Sequence, residues 1–248
     1  MPMESSEAIE AARARHLAGS ERLAQWLWPF TRLLLLALTA ALLLRVLIVQ
    51  PFAIPSSSMA PTLQAGDFVL VDKKAYGWAR ASLPLAADSG MAGDGGGRLF
   101  ASAIPHGDVI AFVGPDGRDY VKRMIARGGE TVELRNGLVL LNGVPLPCVP
   151  QNAAADGQLC REAIPSGRTH LSRDHAQGPR ASFGPVTVPA GHLFVLGDNR
   201  GHSADSRVPA AEGGIGFVPE DKVIGRAARI FFAYDRGVRW NRIGTPVD

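Results

Sequence analysis

Pro55-Ser56-Ser57-Ser58-Met59-Ala60-Pro61-Thr62 lies just past the only strongly apolar run of this chain. A serine-rich turn bracketed by prolines and leashed that closely to an apolar segment points to a hydroxyl nucleophile held at a bilayer surface. Ser58 is nine residues beyond Val49, so even a fully extended leash reaches only ~30 Å. Pro51, Pro55 and Pro61 stiffen it.

Upstream, Leu33 to Leu44 is apolar apart from Thr39, and Val46-Leu47-Ile48-Val49 continues beyond Arg45. Trp26, Leu27, Trp28 and Phe30 precede the run like an aromatic belt at one membrane interface. From Trp26 to Val49 a helix would measure about 36 Å, enough to cross a hydrocarbon core of ~30 Å with some tilt. Arg45 lies near the far end, where its side chain can snorkel outward. A cleaved leader is the competing reading, but no convincing small-x-small site follows the run. The chain is therefore expected to divide into an N-terminal segment, 1–25, a retained anchor, 26–50, and a body, 51–248. Arg13, Arg15, Arg22 and Arg32 precede the span, whereas Val46 to Val71 holds no lysine or arginine. That asymmetry places the N-terminus in the cytoplasm and the body outside it.

The body is rich in glycine and proline and has few helical patterns, which predicts a mainly β, antiparallel fold. Asp67–Asp72, Asp108–Val113, Asp119–Arg127, His192–Leu196 and Ala227–Tyr234 read as strands. Thr131–Leu134 and Leu138–Leu141 flank Arg135-Asn136-Gly137, a hairpin signal. Gly77–Pro105 and 147–185 lack periodicity and read as insertions. The net charge of +3 leaves 21 basic and 19 acidic side chains after residue 45. No basic stripe calls for nucleic acid. No His-Glu-x-x-His, phosphate-binding loop or Gly-x-Ser-x-Gly elbow occurs, so neither a metal nor another cofactor is expected. Cys148 and Cys160 lack zinc or Cys-x-x-Cys spacing. In an oxidising compartment they can close a short loop; in cytosol they are two separate thiols.

A serine turn alone is commonplace, and a strand lysine is ordinarily solvated. Lys122 gains meaning beside Tyr120 and Met124, which share its strand face and disfavour its charged form. A third segment, Gly197-Asp198-Asn199-Arg200-Gly201-His202-Ser203-Ala204-Asp205-Ser206-Arg207, is polar and follows an apolar strand. Its spacing does not fit an EF-hand; Asp205 and Arg207 suit an orienting pair.

Together these segments closely resemble bacterial signal peptidase I. Pro55–Thr62 and Gly66–Val71 match the nucleophile region. His106-Gly107-Asp108-Val109-Ile110-Ala111-Phe112 matches the next block, and Tyr120-Val121-Lys122-Arg123 the lysine block. Gly197–Arg200 with Ser203–Arg207 matches the last, all in family order. The resemblance implies a membrane-bound serine endopeptidase that removes signal peptides from exported preproteins after small-x-small residues. It implies Ser58 as nucleophile, Lys122 as general base and Ser203 as a hydrogen-bonding orienter of Lys122. Asp205 and Arg207 would be the supporting ion pair, and the Ser58 N–H with the Ser56 hydroxyl the oxyanion hole. Phe52 and Ile54, alternating along the approach strand, would contribute to the small-residue pockets. The family fold is an antiparallel β body with a membrane-facing apolar surface, which implies lipid as a partner and a periplasmic or other extracytoplasmic location. Gly201-His202 stands where the family often has Asp-Asn, and Val208–Gly216 is longer than usual. These departures leave open a specialised peptidase, for example one that matures pilin in conjugation. A self-cleaving repressor would need a DNA-binding module for which 1–32 is too short. An inactive membrane scaffold is the non-enzymatic alternative.

Overall fold

The computed structural model describes residues 26–43, 45, 47–78, 101–154, 157–174, 178 and 180–248. The chain divides into two units, Met1–Arg45 and Val46–Asp248; the expected N-terminal segment, 1–25, lies outside the described residues.

In the first unit, helix α1 (Trp26–Leu43) has 18 residues with every described side chain exposed. It is long and apolar enough to cross a membrane by length and composition. Trp26 and Phe30, one turn apart, bring their rings to 5.4 Å. Thr31 turns its hydroxyl back onto the Trp28 carbonyl at 2.9 Å, which satisfies it within the helix.

The second unit is β-rich and antiparallel throughout its named strand pairs. Its strands are β1 (Val49–Ala53), β2 (Asp67–Asp72), β3 (Val109–Val113), β4 (Asp119–Arg127), β5 (Thr131–Arg135), β6 (Leu138–Leu141) and β7 (Val144–Pro145). They continue with β8 (Cys148–Ala154), β9 (Gly157–Ala163), β10 (Thr169–Asp174), β11 (Phe183–Thr187), β12 (His192–Leu196), β13 (Val218–Pro219) and β14 (Val223–Ala233). A seven-stranded sheet runs β1-β2-β14-β3-β4-β12-β13, a second β11-β5-β6-β7 and a third β10-β9-β8.

The apolar pattern explains the layering. In β2, buried and half-buried residues alternate, as expected for one covered face. β3 is apolar at all five positions and buried at four, because both of its faces are covered. Val109 and Ala111 join a cluster with Met59, Leu63, Val69 and Val71. Ile110 and Phe112 join another with Met124, Leu193 and Val195. The predicted hairpin forms: Asn136 and Gly137 take φ values of 51° and 85°, the positive pair that a type I′ turn requires.

Two readings need correction. The anchor expected over 26–50 ends sooner, because Val49 and Gln50 belong to β1, paired with Asp72 and Val71. The apolar Val49 serves a sheet edge there. Residues 147–185 hold three strands and the start of a fourth rather than irregular chain. No period-two pattern betrays them, since β8 reads Cys-Val-Pro-Gln-Asn-Ala-Ala and is held by backbone pairing with β9. Cys148 and Cys160 are joined there by a disulfide, with Cα atoms 5.5 Å apart. Of Gly77–Pro105, residues 79–100 lie outside the described set.

One buried carboxylate ties the C-terminal turn to the serine segment. Asp67 accepts from the Gln64 N–H at 2.8 Å, from Arg239 at 3.0 Å and from Arg242. Arg242 also donates to the Thr62 carbonyl at 3.0 Å. Asp67→Ala should strip two partly buried guanidinium groups of their counter-charge. The body is expected to lose about 3 kcal/mol, read as a lower urea midpoint at unchanged slope.

Candidate active site

Ser58 leaves β1 through the proline-bracketed turn and packs into the body: its neighbour Met59 is fully buried. Lys122 sits in the middle of β4, opposite Ile110 of β3, with only 4% of its surface exposed. Its Nζ lies 2.7 Å from Ser58 Oγ. Burial drives the ammonium pKa down, the nearby Asp205 and Asp198 carboxylates pull it partly back, and it settles at about 8. At pH 7.5 roughly a quarter of such lysines are neutral, against ~0.1% at the ordinary value.

The next residue has the opposite fate. Arg123, equally buried, forks onto Asp198 at 2.8 and 2.7 Å. It also donates to the Gly107 carbonyl at 2.6 Å and the Asp248 carbonyl at 3.0 Å. Burial raises the Asp198 pKa, but Arg123 and the Thr62 hydroxyl at 2.5 Å outweigh it and leave it below the ordinary carboxylate range.

The loop after β12 closes the site. Asn199 donates its N–H to the Ser58 carbonyl at 3.0 Å and its Nδ2 to the Ser57 carbonyl at 3.2 Å. Asp205 and Arg207 form a bidentate pair at 2.8 and 2.9 Å, and the Gly197 N–H donates to Asp205 at 3.1 Å. A Cβ at Gly197 would sit 2.3 Å from Ser203 Oγ and 2.5 Å from the Ser58 carbonyl oxygen. Only glycine lets the three segments meet.

The sequence-derived candidates are thus distributed as follows. Ser58, Lys122 and Ser56 converge, with Ser56 Oγ donating to Ser58 Oγ at 3.3 Å. Asp205 and Arg207 pair beneath them. Ser203 is buried nearby, but its Oγ makes no hydrogen bond. The expected bond to Lys122 is absent: the hydroxyl packs against Gly197. Phe52 and Ile54 lie in the apolar cluster with Met59 and Leu63 rather than on an open wall. Arg123–Asp198, Thr62 and Asn199 lie within the matching motifs, but the sequence assigns them no role. The pairing of Arg123 with Asp198 spans 75 residues, and no local pattern announces it.

Chemically, a serine hydroxyl bonded to a buried, readily deprotonated amine is the arrangement of a hydrolytic site that uses lysine in place of histidine. The model described as "Signal peptidase, peptidase S26" matches residues 26–232. A probable signal peptidase I-1 of Synechocystis is 32% identical over 231 residues, covering 88% of this chain and 89% of its own. The signal peptidase I of Bacillus amyloliquefaciens is 30% identical over 210 residues, covering 84% and 86%. A probable signal peptidase I of Mycobacterium leprae is 33% identical over 278 aligned residues, covering 99% and 88%. The chain belongs to the signal peptidase family.

Beside Asp198, the buried His170 has its pKa lowered to about 4. Burial is the main cause; Arg123 and Arg200 add to it, and Asp198 and Glu162 oppose it. The unfolded chain therefore binds a proton below pH ~6.5 that the folded state refuses until about pH 4. Stability should fall across that window as pH drops, by roughly 3 kcal/mol in total. Urea unfolding of wild type and His170→Gln at a series of pH values checks this: the variant should lack that part of the fall.

Proposed function

We propose that the chain is a membrane-anchored serine endopeptidase that removes N-terminal signal peptides from exported preproteins, with Ser58 as nucleophile and Lys122 as general base. The observation that carries the reading is the 2.7 Å contact between Ser58 Oγ and a lysine whose burial brings its pKa to about 8.

In the neutral form Lys122 Nζ accepts the Ser58 proton as Oγ attacks the scissile carbonyl carbon. The tetrahedral oxyanion faces the Ser58 N–H and the Ser56 hydroxyl, which turns from Ser58 Oγ to the substrate oxygen; such donors are worth ~10²–10³ in rate. The lysine ammonium then protonates the leaving amine, and the C–N bond breaks to leave an ester on Ser58. A water, deprotonated by Lys122, hydrolyses that ester and restores the serine. Asp205 and Arg207 fix the loop that carries Ser203, whose hydroxyl would orient Lys122 during turnover. Phe52 and Ile54 would shape the small-residue pockets from within the apolar cluster that backs the serine turn.

Helix α1 supplies the anchor. The arginines before it, the absence of basic residues from Val46 to Val71 and the Cys148–Cys160 disulfide support a cytoplasmic N-terminus and an extracytoplasmic, in a bacterium periplasmic, body. The exposed Phe231, Phe232, Tyr234 and Trp240 suit contact with lipid.

The test uses the purified full chain in detergent or lipid with a secretory precursor. Wild type should cut once after a small-x-small site, and Ser58→Ala and Lys122→Ala should each reduce the rate by about 10³-fold or more. Cleavage that persists in Ser58→Ala would overturn the mechanism. The base must be neutral to act, so wild-type kcat/KM should rise with pH and level off above about 8. A profile flat from pH 6 to 9 would exclude Lys122 as the base.

A further inference from the structure

The three-stranded sheet β8–β10 reads as an excursion on the family scaffold, yet it sends one carboxylate into the loop that closes the active site. Glu162 of β9 and Arg200 are both buried, 2% and 4% exposed at the side chain. Arg200 Nη2 donates to both Glu162 oxygens at 2.8 and 2.9 Å. His170 of β10 lies beside them, its Nε2 3.5 Å from Glu162 Oε1. The same sheet grips the loop a second time, where the Arg173 N–H donates to the Asp198 carbonyl at 2.7 Å.

Between these two grips sits Asn199, whose N–H and Nδ2 hold the carbonyls of Ser58 and Ser57. The loop's other face is fixed from within the core, where Arg207 Nη2 donates to the Arg200 carbonyl at 2.6 Å and Arg123 holds Asp198. Asn199 is thus flanked by two residues, each clamped on one side by the core and on the other by β8–β10. The Cys148–Cys160 disulfide lies on the same strand pair as Glu162, and Cys148 faces Glu162 in the β8–β9 register.

We propose that Glu162 is a positioning residue for the reaction. Through Arg200 it sets Asn199, and through Asn199 it sets the Ser57–Ser58 backbone that aims the nucleophile and the Ser58 N–H. The inference rests on the Ser-Lys reading above and adds that β8–β10 is part of the catalytic apparatus. A structural ion pair alone would affect stability; a positioning pair also affects turnover in enzyme that remains folded.

Glu162→Gln keeps the shape and removes the charge that engages Arg200. Assayed well below its unfolding temperature on the secretory precursor, it should lower kcat by about tenfold or more, as small misplacements of reacting groups do. KM should stay within about twofold, since the substrate-facing surface is untouched. The apparent pKa of kcat/KM should remain near that of wild type, because Lys122 keeps its surroundings. Arg200→Gln should give a similar loss, and the double variant should be no worse than either single, the non-additivity of a coupled pair. Glu162→Asp should recover part of the rate. If Glu162→Gln fails to fold, Glu162→Asp and Arg200→Gln carry the same comparison.

A second readout does not depend on turnover. Amide hydrogen exchange at Asn199, whose N–H bonds the Ser58 carbonyl, should quicken in Glu162→Gln while exchange in β3 and β4 stays as in wild type. Unchanged kcat together with unchanged exchange at Asn199 would overturn the proposal. Faster exchange with no cleavage of any precursor by wild type would leave the hold of Glu162 on Asn199 standing and overturn the peptidase reading, and with it the role in the reaction.

Discussion

Everything in the body serves to keep one amine out of water beside one hydroxyl. Lys122 and Arg123 are consecutive cations on β4, both buried, and the structure treats them in opposite ways. Arg123 receives a bidentate carboxylate and two further carbonyls, so a group that never deprotonates is fully compensated. Lys122 has no such partner among the described residues: its Nζ meets the neutral Ser58 hydroxyl. Desolvation is then free to bring its pKa down to about 8. Asp205 and Asp198 resist that shift only from a distance, because each is committed to an arginine of its own.

Those commitments are expensive by themselves. A buried ion pair recovers its desolvation cost only with good geometry and further hydrogen bonds, and an apolar replacement often serves stability as well. The body nevertheless contains Arg123–Asp198, Arg207–Asp205 and Arg200–Glu162, all buried within the same region. Stability is a poor reason for such a concentration. Geometry is a better one, because planar guanidinium forks fix the direction of the segments that carry them. The three pairs join β4, the loop after β12 and β9, and the nucleophile turn leans on the point where they meet.

The central strands could be read from the sequence because their apolar periodicity or continuity is local, as in Phe68-Val69-Leu70-Val71 and in Val109–Val113. The Asn136-Gly137 turn was equally legible, since its positive φ values demand those residues. β8–β10 was not, because polar and small residues pair there through their backbones and a disulfide. At the site, residue types and family order singled out Ser58, Lys122, Ser203, Asp205 and Arg207. Two features stayed hidden. Ser203 shares no hydrogen bond with Lys122, which depends on where Gly197 allows it to pack. Glu162 gave no signal, since one acidic residue in an irregular-looking stretch normally marks a solvated surface.

The run Gly197-Asp198-Asn199-Arg200 shows why three consecutive polar residues can all be buried behind a glycine. Gly197 is small because Ser203 and the Ser58 carbonyl occupy the space a side chain would need. Asp198 turns to Arg123 and Thr62, Asn199 to the carbonyls of Ser57 and Ser58, and Arg200 to Glu162. Each side chain meets a different segment, so the loop can shift only by breaking several charge-assisted contacts together. Such coupling makes a rigid frame from individually modest bonds. It also locates the body's sensitivity to substitution: a change at any of these partners reaches Ser58 through at most three contacts, although Glu162 is more than a hundred residues from the serine in sequence.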